Sequence, residues 1–159
     1  MKAAVLTVSD RVTAGIYEDR GGEILASLLA EDGFEVERRV VPDELEEIEA
    51  AIVKLSDQAT LILTTGGTGL APRDVTPEAT ELVIDRQAPG IAQAIRADAI
   101  SKTPHGLLTR GIAGIRGRTL IVNLPGSPGG CKDGYAVLRP ALGHALELIA
   151  DEPTEHRQT

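Results

Sequence analysis

The stretch TTGGTGLAPRDVTPEAT, from Thr64 to Thr80, places Gly66, Gly67 and Gly69 just after an apolar run and follows them with Arg73 and Asp74. Glycines in a strand-to-helix turn bare the main-chain N–H groups, which can then cradle a phosphate or another anion. One glycine could simply adopt a positive φ in a tight turn, but three beside the hydroxyls of Thr65 and Thr68 exceed what a turn requires. Two common phosphate motifs are absent. No Gly-Lys-Ser/Thr follows Gly69, and dinucleotide spacing would need a glycine where Pro72 stands.

The carboxylates add to this. Asp74 alone reads equally as a turn cap or a partner of Arg73. Asp43, directly after the Val40-Val41-Pro42 end of an apolar run, is expected on the same rim of the molecule. Two carboxylates beside a phosphate cradle suit Mg²⁺, which takes its remaining ligands from water and phosphate oxygens. A metal so held would neutralise charge developing on a leaving pyrophosphate. A third loop, LPGSPGG from Leu124 to Gly130, offers Gly126 and Ser127 as further phosphate contacts, or else is only a Pro-Gly turn opening a helix. Ser127 does not sit in a Gly-x-Ser-x-Gly elbow, so it is not read as a nucleophile. His105, His144 and His156 are scattered and receive no catalytic role.

Strands and helices must bring these loops together. Ala3–Val8, Thr60–Thr65 and Thr119–Leu124 are continuous Val/Ile/Leu/Ala runs, as in parallel strands covered on both faces. Phe34–Val41 carries Arg38 and Arg39 and reads as a strand nearer an edge. Between them, Ile24, Leu25, Leu28 and Leu29 form one helical face, stopped at Gly33. Leu45, Ile48, Ile52 and Leu55 form another, with Glu44, Glu46, Glu47 and Glu49 toward water near the positive helix end. Thr76-Pro77 predicts a third helix with Thr76 as N-cap, and Pro89 opens a fourth carrying Ile91, Ile95 and Ala99. Pro140 predicts a break of the last helix into two pieces, the second presenting Leu142, Leu146 and Ile149.

Alternating strands and helices imply an α/β fold of three layers, with a mainly parallel sheet and helices on both faces. Ligands of such sheets collect at the carboxyl ends of strands, near the reversal in strand order. The loops Ser9–Arg20, Thr65–Asp74 and Pro125–Asp133 all fall there. Residues 1–150 are expected to form a single domain, and 151–159 a polar, frayed tail.

Bulk properties narrow the function classes. The 159 residues carry a net charge of −8, the wrong sign for a nucleic-acid face, and the aromatics are few (Phe34, Tyr17, Tyr135). A single cysteine, Cys131, excludes an internal disulfide and a cysteine zinc site. The opening MKAAVLTVSDR is too short in apolar residues for a secretory leader, and no run approaches the roughly 20 residues of a membrane span. A cytoplasmic protein is the expectation.

The glycine stretch together with Leu124-Pro125-Gly126-Ser127-Pro128 resembles the signature of the MoaB/MogA family of molybdenum-cofactor biosynthesis proteins, which includes the G domain of gephyrin. Ser9-Asp10-Arg11, Gly15, Asp19–Gly22 and Thr109-Arg110-Gly111 are also similar to that family, so the likeness spans residues 3–150. The resemblance implies a molybdopterin adenylyltransferase that moves AMP from ATP, its co-substrate, to the terminal phosphate of molybdopterin with Mg²⁺. It implies catalytic, metal-holding roles for Asp43 and Asp74 and a homotrimer whose sheet has one antiparallel edge strand. The molybdenum-insertion protein acting downstream would be a partner.

Thr65, Gly66, Gly67, Thr68, Gly69, Gly126 and Ser127 are then the nucleotide- and phosphate-binding candidates, and Ser9, Arg11 and Lys132 the molybdopterin-binding ones. Arg11, Arg20, Arg73 and Lys132 are candidate cations for gathering polyanions, or plain surface charges. Relatives often carry a basic residue soon after the Pro-Gly-Ser-Pro turn, whereas here Gly129 and Gly130 intervene before Lys132. Of two rivals, an enzyme that consumes the adenylylated pterin is expected in chains longer than these 159 residues, and a non-catalytic pterin-binding scaffold stays open. The scaffold would tolerate loss of both aspartates.

Overall fold

Along the chain the computed structural model, which describes residues 1–151, has β1 (Lys2–Val8), one-turn α1 (Asp10–Thr13), α2 (Arg20–Glu31), β2 (Glu35–Val41), α3 (Leu45–Ser56) and β3 (Leu61–Thr65). It continues with α4 (Thr76–Val83), two-residue β4 (Arg86–Gln87), α5 (Pro89–Lys102), a 3-10 turn (Pro104–Leu108), β5 (Ala113–Arg116), β6 (Thr119–Leu124) and α6 (Pro128–Ile149). The tail expected to fray lies, from residue 152 on, outside the described residues.

The six strands form one sheet in the order β2-β1-β3-β6-β5-β4. β2, β1, β3 and β6 run parallel; β5 is antiparallel to β6, and the short β4 pairs antiparallel with β5 as the outermost strand. Strand order reverses beside β1, which lies between β2 and β3. The gap above β1 and β3 is therefore where ligands of such sheets bind.

Alternation along the central strands feeds two cores. Ala3 and Val5 of β1 join Leu25 and Leu29 of α2, Ile95 of α5, and Tyr135, Leu138, Leu142 and Leu146 of α6. Ala4, Leu6 and Val8 turn the other way, onto Ile48, Ile52 and Leu55 of α3 and Ala79 and Val83 of α4. Each fully buried large aliphatic contributes about 1.5–3 kcal/mol. The three-layer architecture expected from the sequence is therefore present, with β2 at an edge and Gly33 closing α2 at φ +91°.

Two local expectations need correction. Pro140 does not divide the last helix, for α6 runs unbroken from Pro128 to Ile149. Buried residues on both sides of it, Tyr135 and Leu138 before and Leu142 and Leu146 after, pack on the same sheet face and hold the axis despite the missing N–H. Nor does Thr76 cap α4. Val75 occupies that position, and the Thr76 hydroxyl donates instead to the Gly66 carbonyl at 3.0 Å, tying α4 to the glycine loop.

Candidate active site

β1, β2 and β3 end on one rim, and the loops that follow them enclose a cleft of about 720 Å³. Ser9, Asp19, Asp43, Gly67, Asp74 and Gly126 are among its walls, so the first three sequence-distant loops do meet. Gly66 and Gly67 adopt φ +95° and +68°. A Cβ on Gly66 would run into the Val8 carbonyl oxygen, and one on Gly67 into the Thr76 hydroxyl. Both positions therefore require glycine twice over, by torsion and by space. The Gly66 N–H is used on Leu124 O, but among the described residues the N–H groups of Gly67, Thr68 and Gly69 have no protein acceptor. N–H groups left so by a glycine turn can cradle an anion.

The two threonines of the loop serve the scaffold. Thr65 is buried and donates to Pro125 O at 2.8 Å, fastening the β3 end to the β6–α6 turn. Thr68 is buried, and its carbonyl accepts from Arg110 N–H.

Asp43 and Asp74 line the same cleft. The Asp43 carboxylate accepts the Asp10 N–H at 2.9 Å while the Asp10 carboxylate accepts the Asp43 N–H at 3.0 Å. Arg73 then takes Asp10 with two N–H groups, at 2.7 and 3.2 Å, and Glu44 at 2.9 Å. Arg73 is thereby spent on the rim and does not neutralise Asp74, the alternative that its sequence position offered. Partial burial pushes the Asp43 carboxyl above its ordinary range, and the charges of Asp10 and Asp74 push the same way. Asp10 goes down, held chiefly by the Arg73 guanidinium.

This donor set fits a hard divalent cation. Among the described residues neither Asp43 nor Asp74 is in an ion pair, and crowding by neighbouring carboxylates is what an added positive charge would relieve. No cluster of three or more His, Cys, Asp or Glu able to hold a metal occurs among the described residues. A cation here would take most of its ligands from phosphate and water, as Mg²⁺ does.

Other candidates fall as follows. Ser9 lines the cleft and caps α1, its Oγ accepting from Val12 N at 3.2 Å. Arg20 lines it too, 3.8 Å from Glu18. Arg11 folds onto Tyr17, 5.0 Å from the ring centroid, and is not among the cleft walls. Lys132 is exposed at the start of the second turn of α6, outside both cavities, because its neighbour Cys131 takes the inward position. Ser127 caps α6, accepting the Gly130 N–H at 3.1 Å, and borders a second cavity instead of the first.

That second cavity, about 390 Å³, has Ile95, Arg96 and Ala99 of α5 on one side and Asn123 on the other. The β6–α6 turn separates the two spaces: Gly126 and Pro128 face the first, while Pro125, Ser127 and Gly129 face the second. His105 borders the second cavity, and His144 sits exposed near Glu147; His156 is outside the described residues.

Two residues that the sequence reading named only within the family resemblance, without a role, matter here. Asp19 caps α2 and is held by Thr7 Oγ1 at 2.7 Å and Arg38 at 2.9 Å; an aspartate before Arg-Gly-Gly was a readable N-cap signal. Arg110 grips the glycine loop from 36 residues away, and no local pattern announces that.

A family profile described as a probable molybdopterin binding domain matches residues 4–144. The chain belongs to that family. The molybdopterin adenylyltransferase of Helicobacter pylori (strain 26695) is 40% identical over 150 residues, covering 91% of this chain and 85% of that one. The Escherichia coli K12 molybdopterin adenylyltransferase is 39% identical over 152 residues, covering 92% and 77%. The crystal structure of the molybdopterin biosynthesis enzyme MoaB from Thermus thermophilus superposes with a TM-score of 0.88 at 45% identity, covering 96% of this chain and 98% of that one. The matched span, residues 4–144, takes in the glycine loop, Asp43, Asp74 and the β6–α6 turn.

Proposed function

We propose that this protein is a molybdopterin adenylyltransferase of molybdenum-cofactor biosynthesis, using ATP and Mg²⁺. The observation that carries the reading is the pair of cavities sharing one turn, with the glycine nest and two carboxylates, outside any ion pair among the described residues, in the larger of them. The similarity to curated adenylyltransferases over nine-tenths of the chain supports the same activity.

In this reading the ATP phosphates lie over Gly67–Gly69, whose N–H groups donate to them, and the molybdopterin occupies the second cavity. Its terminal phosphate then meets the α-phosphate beside the Gly126–Ser127 turn. A P–O bond forms from that oxygen to the α-phosphorus, the bond to the bridging oxygen breaks, and pyrophosphate leaves. The nucleophile is already anionic near neutral pH, so the chain need not supply a general base. The task of its residues is to align two polyanions and offset their repulsion. Asp43 and Asp74 would hold the cation, which when bound supplies charge neutralisation for the polyphosphate. The Asp10–Arg73–Glu44 network keeps Asp43 and its loop in register. Trimeric assembly and a cytoplasmic setting belong to the same proposal, on the strength of the family resemblance.

The test is direct: purified protein, molybdopterin, ATP and Mg²⁺ are combined, and pyrophosphate and adenylylated pterin are measured. Formation of both at equal yield is expected. Pterin binding with no pyrophosphate would replace this reading by the scaffold.

A further inference from the structure

Arg110 lies between the 3-10 turn and β5 and is not among the walls of either cavity. Its backbone N–H donates to Thr68 O at 2.8 Å, its Nε to Gly69 O at 2.8 Å and its Nη2 to Asp74 O at 2.8 Å. Nη1 takes the Glu78 carboxylate on the first turn of α4. One residue therefore closes both ends of the loop from Gly69 to Asp74. Inside the loop, Asp74 N–H donates to Ala71 O at 2.9 Å and the Asp74 carboxylate accepts Ala71 N–H at 3.2 Å. The main chain of Asp74 is fixed from outside by the guanidinium, and its side chain from inside by Ala71.

We infer that Arg110 is a positioning residue for Asp74, setting the direction in which that carboxylate enters the cleft. The inference rests on the proposed role of Asp74 in adenylyl transfer. Arg110 acts through the loop, since it has no place on the cleft wall. A planar fork is what the geometry needs: separate N–H groups of one guanidinium reach two carbonyls while a third arm meets Glu78. An ammonium on a flexible stem is a point charge and cannot span both carbonyls. Arg110 is itself anchored, because Arg96 of α5 donates to the flanking carbonyls of Thr109 at 3.3 Å and Gly111 at 2.9 Å. Arg96 also borders the second cavity, so the wall of one cavity supports the aspartate of the other.

The experiment compares Arg110→Ala and Arg110→Lys with the unaltered full chain. It follows kcat and ATP KM, Mn²⁺ binding to the nucleotide-free protein, and amide hydrogen exchange. Both variants should lose roughly 10- to 100-fold in kcat, the scale of a misplaced catalytic group, with ATP KM changed by less than about threefold. Mn²⁺ should bind more weakly, and exchange should quicken at the amides of residues 71–75. Should Arg110→Ala fail to fold, Arg110→Lys decides alone, since it keeps the charge and the Glu78 pair. Restoration of kcat by lysine to within about twofold would overturn the inference, because a charge or packing role survives that change. Unchanged exchange and Mn²⁺ binding in both variants would overturn it too. If the unaltered protein released no pyrophosphate, the adenylyl-transfer reading would fall, while exchange and Mn²⁺ binding would still judge Arg110.

Discussion

Asp10 and Asp43 each accept a hydrogen bond from the other's main-chain N–H, at 3.0 and 2.9 Å, across 33 residues of sequence. The reciprocal pair staples the end of β1 to the end of β2 and aims Asp43 at the cleft. It also places two carboxylates close together, with Arg73 committed to only one of them. Partial burial, and then the charges of Asp10 and Asp74, raise the Asp43 carboxyl, and the Asp10 N–H bond and the Arg73 charge offset this only in part.

Asp43→Asn should abolish most adenylyl transfer and yet raise the melting temperature of the metal-free protein. The folded-state value of this carboxyl lies above its ordinary 3.8, so its contribution to stability is whole below that pH and lost as pH rises through the folded value. The gain over the unaltered chain should thus be absent near pH 3, grow through that window and level off at neutral pH. Allowing for solvent screening, a rise of about 2 °C in thermal melts with chelator is expected. Saturating Mg²⁺ and ATP should reverse the ranking, because the unaltered site, with both carboxylates for the cation, gains more binding energy. Equal melting curves at pH 7 in chelator would contradict the repulsion argument.

Asp74→Ala removes a carboxylate but leaves Gly67, Thr68 and Gly69 with their free N–H groups. Turnover should fall by roughly 100-fold or more, while nucleotide affinity measured without divalent cation changes little. Near-normal adenylylation by this variant would remove Asp74 from the mechanism.

Gly66→Ala places a methyl group against the Val8 carbonyl at φ +95°. The combined clash and left-handed strain should cost about 2–3 kcal/mol of stability, read from denaturant midpoints. Gly15→Ala is the control: φ there is +74° but nothing lies within 4 Å of the added atom, so only the torsional part remains.

Tyr135→Phe tests the scaffold apart from the chemistry. Tyr135 Oη donates to Asp32 at 2.6 Å, and Arg139 donates to the other Asp32 oxygen at 2.6 Å, pinning α6 to the end of α2. These bonds lower the Asp32 carboxyl, the tyrosine hydroxyl most, so their stabilisation is present above 3.8 and is lost as pH falls through the folded value. The variant should melt lower at pH 7, lose less on acidification than the unaltered chain, and retain its turnover. A parallel acid limb in the two proteins would refute that linkage.

Particular residues show how far the sequence could be read. Thr119–Leu124 is a strand with the bounds its apolar run suggested, and the cleft lies where three strand-end loops were expected to meet. Glycine and chain reversal are local signals, and they survive folding. Hydroxyls and cations behaved otherwise. Thr76, Thr65 and Ser127 are all occupied by backbone partners, and Arg73 serves Asp10 and Glu44. Ser127 is a local cap on Gly130, but the partners of Thr65, Thr76 and Arg73 are set by tertiary approach, which no spacing rule encodes. Pro140 fails as a breaker for the same reason: core contacts on both sides outweigh one lost bond. Arg110 is the extreme case, since its three carbonyl acceptors belong to a loop about forty residues earlier.

The two margins of the sheet differ, yet neither invites another strand. β2 presents Glu35, Glu37, Arg38 and Arg39 along its length, and β4 is only Arg86 and Gln87. Charge on one border and brevity on the other deny a neighbouring chain the continuous ladder needed for strand addition. Strand addition between copies of this protein is therefore disfavoured at both borders of the sheet.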